Sequence, residues 1–523
     1  MNLDTNDGRT VPVLVVGAGP AGLVTSLLLG RQGIQVLQID RREGVSELPK
    51  ATGINMRTME ILRGVGLAEA VMGAAMDISG MPVATTKVTL ASPEALSKAP
   101  FTFPSGTNLS ATYPSPAGAQ HLAQDQMDAM LLAAAQVVDS VDVRYGNELV
   151  SFEQDDDGVT AVIRDLGSGD EYSVRADYLV AADGANSRIR QALGIEMIGQ
   201  LALGRELSIL FEAEIDDLVE EHEALLNFVA NQQMTGVYRR VRGHRWTVTT
   251  PSVSSLTREG VTEAVKAGIG APEIEPEILA WQEWELNSAS AERYQEGRVF
   301  LTGDAVHLVS PGGALGANTS MQDAHNLAWK LGAVLEGWAA PSLLDTYGPE
   351  REPIGRYNAT TSYELWQSRS MEIAGIVLGL SYEQGAVVPD GTSLPENDNP
   401  VGKYVPTARP GSRAPHFWLE EGVSTIDIFE GTFTVLTAEP AWAEAAATVL
   451  AGRPGLRQHA RVEANPALLE LYGIGSSGAV LVRPDGHVAW RTTELPKDPA
   501  EQLDAVYDSI VGKAVREATE ATG

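Results

Sequence analysis

Residues 11–40 read VPVLVVGAGPAGLVTSLLLGRQGIQVLQID, and this stretch decides the fold. Val11 to Val16 is apolar and largely β-branched, which is typical of a buried strand in a parallel sheet. A glycine-rich turn follows, after which Leu23 to Leu29 predicts a helix and Ile34 to Ile39 predicts a second strand. Strand, helix and strand in this order form a βαβ unit, so we expect an α/β protein built on a parallel sheet.

The turn between strand and helix contains three glycines at the spacing G-x-G-x-x-G, namely Gly17, Gly19 and Gly22. Gly17 permits the tight turn, Gly19 lets the backbone approach a pyrophosphate, and Gly22 lets the helix pack closely on the strand. The N-terminus of the helix offers free N–H groups and the positive end of its dipole to phosphates. Asp40, which ends the second strand, can accept hydrogen bonds from a ribose. The pattern therefore predicts a dinucleotide site.

The composition excludes several classes of function. The 523 residues include 38 Lys and Arg against 69 Asp and Glu, a net charge of −31, which argues against nucleic acid or an anionic membrane as partner. The absence of cysteine excludes disulfides, thiolate metal sites and a Cys nucleophile, and we find no metal-binding motif. No apolar run approaches the ~20 residues that span a bilayer, and residues 1–10 lack the features of a signal peptide. We therefore expect a cytoplasmic enzyme.

The rest of the chain predicts a body of about 1–400 and a tail of about 401–523, joined by a turn-rich linker at Pro389 to Pro400. In the body we predict helices at 54–72, 122–138, 318–337 and within 343–380, a long loop at 101–120, a meander from Val141 to Arg164, strands at Tyr178–Ala182 and Val299–Leu301, and a strand-rich region at 205–290 with an acidic helix near 216–226. In the tail we predict strands at Thr432–Thr437 and Ala479–Arg483, and helices near 440–451 and 500–516.

Three further segments of the body carry motifs: PKATGINMRTME at 49–60, ADGANSRIR at 182–190 and VFLTGDAVH at 299–307. Together with the glycine turn, and in this order, they resemble the single-component FAD-dependent aromatic hydroxylases. In the tail, ARPGSRAPH at 408–416 and VRPDGHVAWR at 482–491 are similar to the C-terminal module of phenol hydroxylase and of bacterial aromatic polyketide hydroxylases.

The resemblance implies a Rossmann-like FAD-binding domain with an inserted substrate-binding β-sheet region, followed by a thioredoxin-like domain. The FAD-binding parts would be about 1–85, 115–200 and 290–345, the substrate-binding parts about 86–114 and 201–289, and a helical segment about 346–388. Because the chain has no cysteine, the tail cannot perform disulfide exchange. We expect it to pack instead, through apolar side chains that include Trp418, Phe429, Phe433, Leu436 and Trp490.

By resemblance, FAD is bound without a covalent link. Asp304 would hold a ribitol hydroxyl, Arg57 would lie beside the flavin, and His307 would support its loop. The full set of expected cofactor residues is Gly17, Gly19, Pro20, Ala21, Gly22, Asp40, Arg41, Arg57, Gln124, Leu149, Asp183, Gly303, Asp304, Pro311, Gly316, Ala317 and Asn318. The chain departs from many relatives at Ser310, where they carry a proline, and in its glycine pair at 312–313, which sits one place earlier.

The implied chemistry begins when NADPH or NADH, bound transiently, reduces FAD. O2 then adds at flavin C4a, and the hydroperoxide transfers oxygen to a phenolic, multi-ring aromatic of the polyketide type. Tyr238, His244 and Trp246 are pocket candidates, with ordinary sheet packing as the alternative. Baeyer–Villiger oxidation of a polyketide ketone, a flavin oxidase or dehydrogenase, and a non-catalytic FAD-binding carrier of a reactive intermediate remain alternatives. The sequence is compatible with a monomer or a homodimer.

Overall fold

The computed structural model describes residues 9–78, 81–99, 114–219, 223–253, 255–370, 372–429, 431–451, 458–462 and 465–512. In chain order its strands are β1 (Arg9–Val16), β2 (Val36–Asp40), β3 (Gly53–Ile54), β4 (Ala84–Lys87), β5 (Ser97–Ala99), β6 (Gln120–His121), β7 (Val141–Tyr145), β8 (Asn147–Gln154), β9 (Val159–Asp165), β10 (Glu171–Ala181), β11 (Met197–Glu212), β12 (Leu226–Ala230), β13 (Thr235–Arg242), β14 (Arg245–Pro251), β15 (Glu277–Ala291), β16 (Gln295–Glu296), β17 (Val299–Leu301), β18 (His307–Leu308), β19 (Trp418–Glu420), β20 (Val423–Ser424), β21 (Phe433–Thr437), β22 (Gln458–Val462), β23 (Ala479–Val482) and β24 (Val488–Thr492).

The α-helices are α1 (Pro20–Arg31), α2 (Met56–Gly64), α3 (Ala68–Ala74), α4 (Gln124–Gln136), α5 (Arg188–Ala192), α6 (Asp216–Val219), α7 (Arg258–Ile269), α8 (Leu315–Leu335), α9 (Tyr347–Ser368), α10 (Ala374–Leu378), α11 (Pro440–Ala451), α12 (Pro466–Tyr472) and α13 (Pro499–Val511). Short 3-10 turns lie at Gly303–Ala305, Gly312–Ala314, Pro341–Thr346 and Thr425–Ile428. Within these described ranges, no helix is long and apolar enough to cross a bilayer.

The first sheet confirms the predicted α/β fold. Its order is β16-β17-β10-β1-β2-β7, with β8 and β9 forming an antiparallel extension from β10. The central pairs β10–β1, β1–β2, β2–β7 and β10–β17 are parallel. The side chains of Val13, Leu14 and Val15 are fully buried, because α1 and α8 cover this part of the sheet. The carboxyl ends of β1, β2, β10 and β17 therefore meet at one edge, where the predicted motifs begin.

The prediction of a single helix over 54–72 is wrong, because the segment forms two helices, α2 and α3. The break lies at Gly66, whose φ is +76°, a left-handed conformation that glycine adopts without steric cost. Its N–H donates to the carbonyl of Arg63, and the N–H of Leu67 donates to that of Leu62, which ends the first helix. The α3 helix then begins at Ala68, directly after Leu67.

The second sheet has the order β18-β15-β11-β14-β13-β12-β4-β5 and is antiparallel except between β12 and β4. One of its faces packs against α7, which the sequence reading missed. Thr257 caps the start of α7 by accepting the N–H of Gly260, and Gly270 ends it at a φ of +76°. The predicted acidic helix is shorter than expected, since α6 covers only Asp216–Val219, and residues 220–222 lie outside the described ranges. The same holds for residues 100–113 of the predicted loop.

The tail forms a four-stranded sheet in the order β22-β21-β23-β24. β21 and β22 are parallel and joined by α11, whereas β21–β23 and β23–β24 are antiparallel, which is the thioredoxin-like arrangement. The predicted strands at 432–437 and 479–483 are confirmed as β21 and β23. The helix α12 and the strands β22 and β24 were not predicted. The boundary near residue 400 stays a prediction.

One face of the tail sheet packs on the body. Trp329 of α8 meets Phe433 of β21 edge to face at 5.7 Å between ring centroids, and Trp338 meets the same ring at 6.3 Å. Trp490 belongs to this shared cluster, while Phe429 and Leu436 belong to a cluster within the tail. Trp418 is only half-buried and packs against the ring of His416. The tail and the body thus share one continuous apolar core.

Candidate cofactor and substrate site

The glycine turn between β1 and α1 leaves room for a ligand at one position only. A Cβ at Gly17 would lie 2.1 Å from the carbonyl oxygen of Ala182, and one at Gly22 would lie 2.0 Å from that of Gly17. At Gly19 no atom of the described residues lies within 4 Å of the Cβ position. Gly19 is also the N-cap residue, directly before α1, and no described side chain caps the helix. The first N–H groups of α1, at Ala21 and Gly22 beyond Pro20, can therefore face a pyrophosphate.

The Asp40 carboxylate is buried and hydrogen-bonded on all sides. Its Oδ2 accepts the N–H of Ala18 at 2.7 Å and Nη2 of Arg42 at 2.8 Å, while Oδ1 accepts the Arg42 N–H at 2.8 Å and its Nε at 3.0 Å. Burial alone would raise the pKa of Asp40, but the bonds from Arg42 hold it below its ordinary value. A ribose hydroxyl can bond Asp40 only where the Arg42 side chain moves away. That side chain is 38% exposed and can do so.

The structure therefore adds Arg42 to the site, while the predicted Arg41 is exposed. A second addition is Asp128 on α4, one turn after the predicted Gln124, whose Nε2 donates to its Oδ2 at 3.4 Å. Its Oδ1 is buried without a partner among the described residues, and burial raises the pKa of Asp128 to about 7. In the sequence, this residue could have been found as an acid four positions after Gln124, because that spacing places both side chains on one face of a helix. The predicted Leu149 is half-buried on β8 and packs against the hydrophobic core of the first sheet.

Asp183 follows β10 and stands beside the glycine turn. Its backbone nitrogen lies 3.1 Å from the Cβ position of Gly17. Its Oδ2 accepts the N–H of Ile189 at 3.3 Å, its Oδ1 is buried without a partner in the described chain, and burial raises the pKa of Asp183. Arg190 of the same segment donates to the carbonyl of Ala305 at 2.9 Å. This hydrogen bond thus connects segment 182–190 with segment 299–307 at the edge of the first sheet.

The buried carboxylate of Asp323 bonds to two residues of the segment 299–307. Its Oδ2 accepts the N–H of Gly303 at 3.1 Å and pairs with Nε2 of His307 at 2.7 Å, while Oδ1 accepts Nε of Arg351 at 2.8 Å. His307 is fully buried, in agreement with the expected role as support for the loop. Asp304, by contrast, is exposed at the edge of the sheet. It is free to meet a polar ligand group there.

The loop after His307 leads into α8, whose first residue follows Ala314 at a φ of +52°. No side chain among the described residues caps this helix, and Pro311, Gly316 and Ala317 are half-buried around its start. Asn318 donates from Nδ2 to the carbonyl of Gly53 at 2.9 Å and accepts the N–H of Asn55 at 3.0 Å. The start of α8 and the strand β3 therefore form one hydrogen-bonded corner, in which no described side chain caps the first N–H groups of α8.

The glycine pair at 312–313 is positioned by α9. A Cβ at Gly312 would lie 2.2 Å from the carbonyl oxygen of Ser362, and Gly313 has a φ of +70°. The Ser362 hydroxyl donates to the carbonyls of Ser310 and Gly312, at 2.5 and 2.6 Å. Ser310, the residue at which the chain departs from many relatives, is held by its backbone in this contact.

Known protein families match both parts of the chain. A family model described as FAD binding domain matches residues 10–362, and one described as aromatic-ring hydroxylase, C-terminal, matches residues 407–514. The chain belongs to the FAD-binding aromatic-ring hydroxylases. It is 35% identical to tetracenomycin B2 monooxygenase-dioxygenase of Streptomyces olivaceus, over 97% of this chain and 100% of that one. It is 36% identical to 4-methyl-5-nitrocatechol 5-monooxygenase of a Burkholderia species, over 97% of this chain and 99% of that one.

Among solved structures, the hydroxylase is similar to the flavin-dependent monooxygenase PieE in complex with FAD and substrate. The TM-score is 0.88 at 33% sequence identity, over 97% of this chain and 100% of that one. The protein is thus a flavin-dependent aromatic monooxygenase that binds FAD. The uncapped starts of α1 and α8, the space at Gly19 and the acids at 40, 183 and 304 fit a dinucleotide with hydroxyl groups and a polar ring.

The side chain of Arg57 contacts both α2 and the tail of the hydroxylase. Its Nη1 pairs with Oε2 of Glu60 at 3.0 Å, and its Nη2 donates to the carbonyl of Asp485, in the tail, at 2.6 Å. The guanidinium is buried in this contact between tail and body, close to His325 of α8. A flavin contact of Arg57 stays a prediction, but its partners in the structure are those of an anchor for the tail.

Two buried carboxylates of the body hold the tail by ion pairs that the sequence reading did not identify. Glu60 accepts Nε of Arg413 at 2.8 Å and the Ser115 hydroxyl at 2.7 Å. Glu350 accepts both terminal nitrogens of Arg483, at 2.8 and 2.9 Å, and pairs with Lys330 at 2.8 Å. Burial would raise the pKa of Glu350, but Arg483 and Lys330 hold it at about 2. Arg413 and Arg483 belong to the two tail motifs, 408–416 and 482–491. Their ion pairs give both motifs a structural role.

Two of the three pocket candidates lie on the second sheet in positions that favour packing, and the third lies in a turn. Tyr238 is buried and donates to the carbonyl of Val265 in α7 at 3.3 Å. Trp246 is buried in the same cluster, beneath the guanidinium of Arg240 at 4.5 Å. His244 is exposed in a turn, with Nδ1 3.1 Å from Oδ2 of Asp216. The pocket interpretation of Tyr238 and Trp246 therefore gives way to the packing alternative.

Proposed function

We propose that this hydroxylase consumes NADPH or NADH and O2 to hydroxylate a phenolic, multi-ring aromatic of the polyketide type. The observation that carries the proposal is the continuity of the FAD corner with the second sheet. β18 pairs with β15 in that sheet and runs directly into the loop that begins α8. A substrate held on this sheet would therefore lie next to the corner that receives the flavin ring. The similarity to tetracenomycin B2 monooxygenase-dioxygenase supports a multi-ring substrate.

The residues that would hold FAD are those at the edge of the first sheet. The N–H groups that follow Gly19 suit the pyrophosphate, Asp40 suits the adenosine ribose, and Asp304 suits the ribitol chain. Held by these residues, FAD would supply the redox chemistry, which is acceptance of hydride from NAD(P)H and activation of O2 for transfer to the aromatic ring. The described chain contains one dinucleotide-type βαβ unit, so we infer that the nicotinamide binds transiently.

The protein's own contribution is orientation and the exclusion of water. The ring that accepts oxygen must be electron-rich, and a phenol with a pKa of ~10 reacts fast only when its proton is removed or shared. The hydrogen bonds of Asn318 and Ser362 hold the start of α8 and the loop before it, and such a ring would be oriented against this corner. Cytoplasmic location, and a monomeric or homodimeric state, stay predictions.

The test is oxidation of NADPH and of NADH by the FAD-loaded protein, with and without candidate phenols. We expect slow consumption without an aromatic compound, a clear increase with a substrate, and one atom of isotopically labelled O2 in the product. Fast consumption with every phenol absent, or substrate oxidation without O2 and NAD(P)H, would instead indicate an oxidase or dehydrogenase. Tight binding without any turnover would indicate a carrier. A ring-expanded ester in place of a new hydroxyl would indicate Baeyer–Villiger oxidation.

A further inference from the structure

The second sheet has two faces of different character, and α7 covers only one of them. Tyr238 pairs with Val248, and both belong to the cluster that packs against α7. The neighbouring residues Arg239 and Thr247 are register partners and point to the opposite face, since side chains alternate along a strand. In the same row, Leu210 pairs with Thr247.

This opposite face is turned toward the FAD-binding part. Leu210 packs there against Leu48 and Ala123, which precede the start of α4. His121 of β6 lies close by, where Nε2 is 3.0 Å from the carbonyl oxygen of Arg240. β6 pairs with β3, the strand that Asn318 joins to the start of α8. The side chains of Arg239 and Thr247 therefore point from the second sheet toward the corner formed by β3 and the start of α8.

Both residues carry polar atoms without a partner. Nε of Arg239 and Oγ1 of Thr247 are buried, and neither has a hydrogen-bond partner among the described residues. Nη2 of Arg239 donates to the Thr249 hydroxyl at 2.7 Å, a neutral acceptor. Two unpartnered polar atoms on adjacent strands, directly opposite each other, are costly in a folded protein unless a ligand uses them.

The charge of Arg239 also lacks a counter-ion. Its neighbour Arg240 is paired with Glu223 and Asp216, at 2.6 and 2.5 Å, on the α7 side of the sheet. We find no acid paired with Arg239 in the described ranges, and burial lowers its pKa to about 10, so the guanidinium stays charged. Burial also lowers the pKa of His121 to about 4, with a smaller effect from the charge of Arg239, so His121 is neutral. Arg245, on the same face of β14 as Thr247, is paired with Asp125 at 3.3 Å, so the positive charge of Arg239 is the one left uncompensated among these described residues.

We propose that Arg239 and Thr247 form a subsite that binds a negatively charged oxygen of the aromatic substrate, carried by an ionised phenol or a carboxylate. The inference rests on the proposed function, because it places this oxygen on the side of the sheet that faces the flavin. The guanidinium would supply a charged hydrogen bond from Nε, and the Thr247 hydroxyl would donate a second one. The substrate class is therefore an acidic aromatic rather than a neutral one.

The experiment is calorimetric titration of the full-length, FAD-loaded protein with three anthraquinones of similar size. Anthraquinone-2-carboxylate carries a carboxylate, alizarin carries an ionised phenol at mildly alkaline pH, and 2-methylanthraquinone is neutral. We expect at least one acidic probe to bind at least about tenfold more tightly than the neutral one, the scale of a charged hydrogen bond. The acidic probe that shows the preference identifies the source of the charge.

The variant Arg239→Gln should lose that preference and bind the neutral probe as the natural protein does. Arg239→Lys, which keeps the charge without the fork of donors, should retain part of it. Arg242→Gln is the matched control, because Arg242 is an exposed arginine on the same strand. It should leave all three affinities unchanged. Because no described acid pairs with Arg239, Arg239→Gln should leave the Tm of the ligand-free protein unchanged or raise it.

Equal affinity of the natural protein for acidic and neutral probes, including no binding of either, would overturn the subsite. So would an Arg239→Gln variant that keeps the preference. Should Arg239→Gln fail to fold, Thr247→Val decides instead, with an expected loss for the acidic probe alone. FAD content and NAD(P)H oxidation, measured on the same samples, test the monooxygenase separately. A subsite that fails in a protein with intact NAD(P)H-dependent turnover refutes this inference and leaves the proposed function standing.

Discussion

At the scale of single residues, the bonds of Asp40 predict how FAD binding responds to mutation. Asp40→Ala removes the acceptor for the Ala18 N–H, which shapes the glycine turn, together with the ribose partner. We expect FAD to bind about 1–3 kcal/mol more weakly, the scale of a lost charged hydrogen bond. Titration of the FAD-free protein with FAD, followed by quenching of flavin fluorescence, measures this difference.

Arg42→Ala is the informative partner of that variant. If a ribose hydroxyl replaces the Arg42 side chain on Asp40, removal of that side chain should weaken FAD binding far less than Asp40→Ala does. Asp157→Asn, an exposed acid in the β8–β9 turn, serves as the control and should have no effect. A loss in Arg42→Ala as large as in Asp40→Ala would show that Arg42 itself contacts the cofactor.

At the scale of elements, the turn from β1 into α1 separates folding from cofactor binding. Gly17→Ala places a Cβ against the carbonyl of Ala182 at a φ of +111°, so it should lower the Tm of the FAD-free protein and abolish FAD binding. Gly19→Ala meets no described atom within 4 Å and should leave that Tm unchanged while it weakens FAD binding. Thermal unfolding with and without FAD distinguishes the two. An unchanged FAD affinity in Gly19→Ala would place the pyrophosphate elsewhere.

At the scale of the whole molecule, we propose that residues 401–523 complete the body. The fragment 1–400 would expose Trp329 and Trp338, and it would deprive Glu60 of Arg413 and Glu350 of Arg483. Loss of one partner of a buried ion pair costs about 3–5 kcal/mol. We therefore expect the fragment to aggregate or to lose flavin, as judged by gel filtration and by FAD content. A soluble, FAD-replete and active fragment 1–400 would contradict this role.

A point variant tests the same contact without truncation. Arg413→Met should lower the Tm of the full chain, because Glu60 keeps Arg57 but loses the buried guanidinium of Arg413. The double variant Glu60→Gln with Arg413→Met should not recover the loss, because Arg57 then loses its carboxylate partner. Arg63→Gln is a milder comparison, because Arg63 and its partner Asp427 lie at the rim of the same contact, 30% and 25% exposed.

The sequence predicted what is local and missed what depends on distant partners. β1, α1 and β2 follow from one stretch of thirty residues whose glycines and apolar periods agree. The α7 helix was missed although Thr257 and Gly270 mark its ends, because alternating strands dominate that region. Arg57 was placed by resemblance, whereas its contact with Asp485 joins residues more than 400 positions apart. Arg239 could not be singled out, because only the position of α7 shows which face of the sheet is covered.

The buried carboxylate at Glu350 has a consequence for the synthesis of this protein on the ribosome. Its partner Arg483 lies about 130 residues further along the chain. At about 5–20 residues per second, the ribosome needs on the order of ten seconds to deliver that arginine. During this interval Glu350 can pair with Lys330 but not with Arg483, and the ring of Trp329 stays uncovered. The final closure of the core is therefore delayed until Arg483 has been synthesised, and the uncovered apolar surface would be open to a chaperone until then.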